Sequence, residues 1–430
     1  MIGLYLFLFA LIFLFTGYPI AFTFAGLSLL VGIWIEGPGL YEFIPYRLFS
    51  IMSNTIFMAI PMFIFMGVVL QKSGLAERLL ESMGRLFGSR SGGLTISTLI
   101  VGAFLAASTG VVGASVVAMG VISLPVMMKY NYDQRLATGT ICAAGTLGQI
   151  IPPSIILIIL GEVLSVPVGD LFKGAMLPGF LLVGLYLVYV WVYTHIFKDS
   201  APPIPSEAEN KGELIKEALW NIFPPLLLIV VVLGSILAGI ATPTESSALG
   251  AIGSMILAKI YMGKNFKFSD VNWAAKETVK VTAMVFAVLV GATSFAMVFT
   301  YSGGDMIVEE FLSDLPGEKW TFLALAMLAI FILGFFIDFV EIAFIVVPIL
   351  APIAELLGLN MVWFGILIAM NLQTSFMTPP FGFSLFYLKG VAPPQVKTTT
   401  IYKGVFPFVI IQIIALLAVI FFPQLTSFMQ

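Results

Sequence analysis

Charged residues are scarce in this chain, and their scarcity identifies its solvent. Asp, Glu, Lys and Arg make up only 10% of the 430 residues, whereas apolar residues make up 60%. An average soluble domain is roughly 25% charged, so there is too little polar side chain here to cover a soluble globule. The sequence therefore predicts an all-α polytopic membrane protein that lies in a lipid bilayer.

Histidine and cysteine are nearly absent, which removes several classes of chemistry. A single His (His195) and a single Cys (Cys142) exclude a disulfide scaffold, a zinc cluster and most histidine-based catalysis. The sequence contains no P-loop, no His-Glu-x-x-His and no Gly-x-Ser-x-Gly motif. The formal net charge of −3 offers no basic surface to nucleic acid. We therefore expect neither an enzyme nor an ATP-driven pump, and no nucleic-acid partner.

Apolar runs long enough to cross a hydrocarbon core of about 30 Å recur along the whole sequence. We predict spans near 1–16, 18–35, 53–71, 134–162, 170–197, 220–241, 244–260, 278–302, 359–390 and 404–424. Two further apolar regions, about 92–128 and about 321–352, are each too long for one span and rather short for two spans with a loop. The charges that flank these two regions indicate how they cross.

Lysine and arginine concentrate on the cytoplasmic side of membrane proteins, and they flank the first of these regions at both ends. Its basic neighbours are Arg78, Arg85, Arg90, Lys129 and Arg135. The second region is flanked mainly by acidic residues, namely Glu309, Glu310, Asp314, Glu318 and Glu355. Each region therefore leaves the membrane on the side from which it entered. We predict two re-entrant helical hairpins that approach the midplane from opposite faces.

Proline positions indicate an internal repeat. Pro19 recurs as Pro243 and Pro152 recurs as Pro379, and the two pairs have nearly the same spacing along the chain. Five spans and one hairpin in each half would make the second half inverted relative to the first, as in many secondary transporters. The predicted first repeat covers 1–197, with its broken helix at about 134–162. The predicted second repeat covers 220–430, with its broken helix at about 359–390.

A polar stretch, 198–219, would join the two repeats as a cytoplasmic linker. Within it, 211–220 forms either an amphipathic helix at the membrane surface or an ordered loop, and the same two readings hold for 40–50. With the linker in the cytoplasm, both chain termini lie in the periplasm.

A Pro-Pro pair lies within one predicted span of each repeat. Proline lacks a backbone donor and breaks the helix, and the carbonyl groups that it frees at membrane depth need a partner. The segments 145–154 and 373–382 around these pairs also carry hydroxyl groups. Hydroxyl and carbonyl oxygens give the oxygen-only shell that a hard cation prefers. Both breaks are therefore candidate cation sites, although a single proline kink is usually only a packing feature.

We expect a hairpin tip to meet each break. The first tip contains Ser108, Thr109, Gly110, Gly113 and Ser115. Glycine permits a tight reversal and the hydroxyl groups can coordinate a cation, but small residues also serve plain helix packing in membranes. Both readings stay open at this point.

The second predicted tip contains Asp338 and Glu341, the acidic residues deep in the apolar stretch 323–352. Ionisable residues at that depth are usually functional, as ion ligands or as proton carriers. A purely structural hydrogen bond is the alternative. Arg47, just before the third span, either faces an anionic substrate or snorkels to the membrane surface.

Four segments carry a resemblance to a known family. They are 59–67 (Ala-Ile-Pro-Met-Phe-Ile-Phe-Met-Gly), 108–115 (Ser-Thr-Gly-Val-Val-Gly-Ala-Ser), 145–154 (Gly-Thr-Leu-Gly-Gln-Ile-Ile-Pro-Pro-Ser) and 347–352 (Val-Pro-Ile-Leu-Ala-Pro). With them, essentially the whole chain resembles the large membrane subunit of tripartite ATP-independent periplasmic (TRAP) transporters. The sequence departs from the family pattern at both tips, for example where Phe339 follows Asp338 and relatives often have proline.

The resemblance implies an elevator-type, sodium-coupled symporter of the bacterial inner membrane that imports a small organic acid, such as a 2-oxo acid. Its implied partners are a small four-helix membrane subunit and a periplasmic substrate-binding protein. The implied ligands of the coupling ion, Na⁺, are Ser108, Thr109, Gly110, Gly113, Thr146, Gly148 and Pro152 at one site, and Asp338, Gln373, Thr374 and Thr378 at the other. Candidate substrate contacts are Ser115, Ser154, Glu341, Ser375 and Arg47.

Other functions stay open on the sequence. A proton-coupled organic anion transporter of the same superfamily, working without a binding protein, would use Asp338 or Glu341 as its proton carrier. A channel would need a continuous polar pore, and an intramembrane enzyme would need a catalytic constellation. The few polar residues within the spans favour neither of these last two.

Overall fold

The computed structural model describes residues 2–14, 16–88, 90–204, 211–313 and 316–427, and all regular structure within these ranges is helical. The part before residue 205 contains α1 (Ile2–Leu14), α2 (Ile20–Glu36), α3 (Ile44–Met52), α4 (Ala59–Lys72), α5 (Leu75–Phe87), α6 (Gly93–Thr109), α7 (Val112–Lys129), α8 (Gln134–Thr146), α9 (Ile155–Val163) and α10 (Val168–Ile196). The part after residue 210 contains α11 (Lys211–Leu237), α12 (Pro243–Met262), α13 (Phe268–Tyr301), α14 (Gly304–Ser313), α15 (Glu318–Leu333), α16 (Phe339–Glu341), α17 (Val347–Leu356), α18 (Met361–Met377), α19 (Phe383–Val391), α20 (Thr398–Phe421) and α21 (Gln424–Ser427). A π-helical turn, Ile342–Val346, joins α16 to α17.

Seven helical segments of the described chain are long and apolar enough to cross a membrane. They are Thr55–Lys72, Val112–Lys129, Val168–Ile196, Gly212–Leu237, Phe268–Tyr301, Phe339–Leu356 and Thr398–Phe421. The predicted class, an all-α polytopic membrane protein, is confirmed. The span predicted at 1–16 is α1, whose 13 residues reach only about 20 Å at 1.5 Å per residue.

The helices recur along the chain in the same order. The segment Phe339–Leu356 corresponds to α7. Its start follows the start of α7, and its end follows the end of α7, by the same number of residues that separates Pro379 from Pro152. α18, which begins at Met361, follows α8 at this spacing too. Contacts recur as well, since α2 packs on α13 and its counterpart α12 packs on α4. The recurrence extends from the hairpins to the long helices that surround them.

The helix that contains the span predicted at 220–241 begins before residue 220. α11 runs without interruption from Lys211 to Leu237, through Pro224 and Pro225, so 211–220 is helical and continuous with the predicted span. Its polar turns are accommodated because they pack on α5, where the Arg85 Nη1 atom lies 3.8 Å from Glu217 Oε2. Residues 205–210 of the predicted linker lie outside the described residues.

Two groups of helices can be distinguished by their contacts. In the first, which we term the framework group, α1, α2, α4, α11, α12 and α13 pack on one another. In the second, the junction group, the hairpins α6–α7 and α15–α17 pack on the broken helices α8–α9 and α18–α19. α8 and α18 form the centre of this group, because every residue in 136–146 and in 363–377 is buried.

Close backbone contact between α8 and α20 depends on two glycines. A Cβ atom at Gly139 would collide with the carbonyl oxygen of Gly404, and a Cβ atom at Gly404 would collide with that of Arg135. Small residues allow such approach between membrane helices, so the position of α8 is set partly by the absence of side chains here.

We predict that Gly139→Leu destabilises the protein, because an added side chain in a tightly packed interface forces the helices apart. Overpacking of this kind typically lowers the free energy of unfolding by about 1–3 kcal/mol. Thermal unfolding in detergent measures the effect. Gly184→Leu on α10 is the matched control, since nothing lies within 4 Å of a Cβ atom there. Equal unfolding temperatures for the two variants would contradict this account of the α8–α20 contact.

Candidate functional site

The first hairpin reverses over two residues. α6 ends at Thr109, Gly110 has φ +60°, and Val111 is extended before α7 begins. Glycine adopts this left-handed conformation at little cost, and the Gly110 N–H donates to the Ala106 carbonyl (3.0 Å). Across the turn the hydroxyl oxygens of Thr109 and Ser115 lie 2.7 Å apart. The tip is therefore closed by one hydrogen bond between its two arms.

The first break follows α8 directly. A short 3₁₀ turn, Leu147–Gln149, ends the helix, and α9 begins only at Ile155. The Ser154 hydroxyl donates to the Gln149 carbonyl across the break (2.7 Å), which satisfies one of the groups that Pro152 and Pro153 leave without a helical donor. The side-chain amide of Gln149 is buried, and neither of its polar atoms has a partner among the described residues.

The first tip lies against the first break, as we expected from the sequence. A Cβ atom at Gly148 would be 2.9 Å from the Ala106 carbonyl oxygen of α6, and one at Gly110 would be 3.4 Å from the Pro153 carbonyl oxygen. α4 covers the same tip, because a Cβ atom at Gly67 would be 2.7 Å from the Ser108 carbonyl oxygen. We call Ser108, Thr109, Gly110, Thr146, Gly148 and Pro152 the first junction; all six are buried.

In the second hairpin the two acidic residues occupy different positions. Asp338 caps the second arm at the tip, where its Oδ1 atom accepts a hydrogen bond from the Phe339 N–H (2.7 Å). Glu341 was expected at the tip, but it lies inside the second arm, in α16 and just before the π-helical turn. Its side chain is 5% exposed, and its Oε2 atom has no hydrogen-bond partner within the described chain.

The second break follows α18, and hydroxyl groups close it as they close the first. The Ser384 hydroxyl of α19 donates back to the Phe376 carbonyl (2.8 Å), and the Thr378 hydroxyl donates to the Thr374 carbonyl (2.7 Å). The second tip contacts this break, because a Cβ atom at Gly334 would collide with the Ser375 hydroxyl. We call Asp338, Gln373, Thr374, Ser375 and Thr378 the second junction.

The hydroxyl groups of the junctions leave their lone pairs available. Those of Thr146, Thr374 and Thr378 each donate their proton to a backbone carbonyl one helical turn back, and a hydroxyl that donates can still offer two lone pairs. No cluster of three or more His, Cys, Asp and Glu residues suited to a metal occurs in the part of the chain that the structure describes. A cation at either junction would therefore be held mainly by hydroxyl and carbonyl oxygens.

The two junctions meet at one polar contact that the sequence did not indicate. The Nε2 atom of Gln373 lies 3.5 Å from the Thr146 hydroxyl, at the margin of a hydrogen bond, and these residues are 227 positions apart. That is also the spacing between Pro152 and Pro379, so Thr146 and Gln373 occupy equivalent places in the two halves. Both are fully buried, and the Oε1 atom of Gln373 has no partner among the residues described.

Two residues that the sequence predicts as site residues, Arg47 and Gly113, are not part of either junction. Arg47 is exposed on α3, which has no buried residue and packs on α13. Gly113 faces α19, where a Cβ atom would be 3.0 Å from the ring of Tyr387. Tyr387 was not singled out from the sequence, yet its ring lies against the start of α7 at the first tip. The sequence signal that could have found Tyr387 is its place in the helix that follows the second Pro-Pro pair.

Comparison with known proteins agrees with this architecture. A family model described as "Tripartite ATP-independent periplasmic transporter, DctM component" matches residues 7–425. The crystal structure of the YdaH transporter of Alcanivorax borkumensis, described as having an unusual topology, is similar with a TM-score of 0.65 over 97% of this chain and 99% of that chain. At 14% sequence identity, this similarity concerns the fold alone.

Two curated relatives extend the comparison. The C4-dicarboxylate TRAP transporter large permease protein DctM of Pseudomonas aeruginosa is 30% identical over 401 residues, which cover 93% of this chain and 92% of that protein. The isethionate TRAP transporter permease protein DctMQ of Oleidesulfovibrio alaskensis is 30% identical over 417 residues, which cover 97% of this chain and 64% of that protein. The chain therefore belongs to the family of DctM components, the large permease subunits of TRAP transporters.

Proposed function

We propose that this TRAP large permease imports a small organic acid by sodium symport. The observation that carries the proposal is that each hairpin tip lies against a break in a buried helix. Each junction offers hydroxyl and carbonyl oxygens of non-helical backbone, the arrangement that binds sodium in secondary transporters. We assign one sodium site to the first junction, and a second to Asp338, Gln373, Thr374 and Thr378.

The negative charge of Asp338 gives the second site its dependence on a cation. A carboxylate within the membrane is costly unless it is paired, and the hydrogen bond that Asp338 accepts comes from a backbone N–H rather than from a cationic side chain. A sodium ion beside it would neutralise the charge and draw the oxygens of the tip and the break together. Because both tips then close on their breaks, the junction group would cross the membrane readily only when it is loaded.

We infer an elevator movement from the way the two groups of helices touch. The first hairpin contacts the framework group mainly through α4, and the second mainly through α13. α4 and α13 occupy equivalent places in the proposed repeats, whose odd number of crossings inverts one relative to the other. The junction group would slide along this pair of helices and carry the bound ions and substrate between the two faces of the membrane.

A carboxylate or sulfonate substrate would find its counter-charge at helix N-termini. α7, α9 and α19 all begin at a tip or a break, and the N-terminus of a helix carries a partial positive charge. Ser115 and Ser154, both buried at these starts, and Ser375 of the second break are the proposed hydroxyl contacts. The names of the relatives, a C4-dicarboxylate and an isethionate permease, concern acids of this kind.

The proposed partners are a small four-helix membrane subunit and a periplasmic substrate-binding protein. The match to the DctM component of a tripartite transporter family supports both partners. Large apolar side chains are exposed along α2 and α3, including Trp34, Tyr46 and Phe49, so this face would contact either that subunit or the bilayer. We place the complex in the bacterial inner membrane, with both termini in the periplasm.

Uptake into proteoliposomes tests the proposal. The chain is reconstituted with its small subunit, and its binding protein is added with radiolabelled succinate or isethionate. We expect accumulation driven by an inward sodium gradient, and none when potassium replaces sodium. Accumulation driven by a proton gradient without sodium would instead support the proton-coupled alternative, for which the buried Glu341, whose Oε2 atom has no partner among the described residues, is the natural carrier.

We predict that Asp338→Asn raises the sodium concentration for half-maximal uptake about tenfold or more. Asparagine keeps the volume but removes the negative charge that would pair with the ion, and a loss of about 1.4 kcal/mol is tenfold in affinity. Asp305→Asn is the matched control, because Asp305 also accepts from the next residue's N–H (2.9 Å) but belongs to neither junction. Unchanged sodium dependence of the Asp338 variant would remove it from the site.

We also predict that Thr146→Val raises the half-maximal sodium concentration several-fold, because it removes one oxygen ligand of neutral charge. Thr98→Val on α6 controls for the loss of a buried hydroxyl, since the Thr98 hydroxyl likewise donates to a helical carbonyl, that of Leu94 (2.8 Å). The measurement is the sodium dependence of initial uptake rates. If both valine variants shift it equally, the effect belongs to helix packing and the first junction loses its assignment.

A further inference from the structure

A cavity beside the second break is not used by the proposed transport cycle. It has a volume of about 450 Å³ and lies where the start of α8, the end of α10 and the start of α20 come together. Its polar lining consists mainly of Arg135, Lys403, Tyr189, Tyr193 and Tyr402, and Pro379 of the break also lines it. The cavity thus combines two cationic side chains with three phenol groups.

Neither cation of this cavity is paired with a carboxylate in the part of the chain that the structure describes. The ion pairs there are those of Arg85 and Lys280. Asp133 lies two residues before Arg135; its Oδ1 atom accepts from the backbone N–H of Arg135 (2.7 Å) at the start of α8, and its carboxylate keeps its negative charge. Two cations against this one neighbouring carboxylate leave an excess of positive charge in the cavity, which favours an anionic occupant.

The cavity lies at a boundary between water and lipid. Phe406, which lines the cavity, is 60% exposed. Trp191, between the cavity residues Tyr189 and Tyr193 on α10, is 54% exposed. Exposed aromatic side chains at the ends of membrane helices mark the headgroup region of the bilayer. Lys389, Lys397 and Lys403 cluster at this end of the molecule, which is the mark of its cytoplasmic side.

We propose that this cavity binds the phosphate headgroup of an anionic phospholipid of the inner leaflet. Arg135 and Lys403 would pair with the phosphate, the phenol hydroxyls of Tyr189 and Tyr193 would donate to its oxygens, and Phe406 would lie along the acyl chains. Basic pockets between membrane helices on the cytoplasmic side suit such headgroups. The lipid-exposed aromatic wall favours a phospholipid over a free anion, which would leave that wall uncovered.

The headgroup would also stabilise the second break. The Tyr402 hydroxyl donates to the Pro380 carbonyl (2.8 Å), so a side chain that lines the cavity binds a backbone group of the non-helical break. An anion that fixes Tyr402 and Lys403 would hold this carbonyl and the start of α20 in place. The site does not rest on sodium coupling, and it would exist even if the protein were driven by another ion.

Thermal unfolding in a neutral detergent, titrated with short-chain phosphatidylglycerol, tests the site on the full-length protein. We expect a saturable rise in unfolding temperature that the same concentration of short-chain phosphatidylcholine does not produce. Arg135→Gln and Lys403→Gln should each weaken the apparent lipid affinity about fivefold, the value of one basic residue near anionic lipid. Lys397→Gln, at the N-cap of α20 and outside the cavity, should leave it unchanged.

Charge-keeping variants and a soluble anion make the test decisive. Arg135→Lys with Lys403→Arg should retain the lipid response, which separates loss of charge from loss of fold. Inorganic phosphate should produce no comparable rise. The proposal is overturned if phosphatidylcholine or inorganic phosphate raises the unfolding temperature as much as phosphatidylglycerol does. It is also overturned if the variant that combines Arg135→Gln with Lys403→Gln responds to phosphatidylglycerol as the unmodified protein does.

Discussion

The rest of the structure depends on one constraint, that backbone groups which leave a helix inside a membrane must find partners. Both broken helices meet it in the same way. A serine hydroxyl after each Pro-Pro pair, Ser154 or Ser384, donates to a carbonyl before it, and a hairpin tip covers the break. Hydroxyl donors satisfy carbonyls but keep their own lone pairs. The arrangement that makes a broken helix tolerable in lipid therefore leaves a set of oxygen atoms that suits a small cation.

The two junctions are also joined to each other. Thr146 and Gln373 occupy equivalent places in the two halves and lie in contact. If the halves form the inverted repeat that we propose, such a pair touches only beside the axis that relates them. The proposed sodium sites thus flank the centre of the molecule, and one amide side chain reaches from the second site to a hydroxyl of the first. Under the proposed function this contact gives each site a direct means of sensing the other. Around it, α8 and α18 are buried over nearly their whole length.

Much of this arrangement follows from local sequence signals. Glycine at the first tip, paired prolines at both breaks and acidic residues in the second hairpin each restrict the backbone or the charge in one place, and their positions agree with the structure within a few residues. Features that depend on packing between segments far apart in sequence could not be predicted. α11 continues through Pro224 and Pro225 because neighbouring helices support it. Tyr387, and the pairing of Arg135 with Lys403 in one cavity, arise only when helices far apart in sequence meet.

Sodium binding in the absence of transport is the most direct test of the two junctions. Thermal unfolding of the purified protein in detergent would be titrated with sodium at constant ionic strength, against potassium and choline. A ligand that binds only the native state stabilises it by RT ln(1 + [L]/Kd), about 2.7 kcal/mol at a hundredfold excess over Kd. We predict a saturable rise in unfolding temperature that is specific to sodium. A well-folded sample that responds identically to all three cations would contradict sodium sites at the tips and breaks.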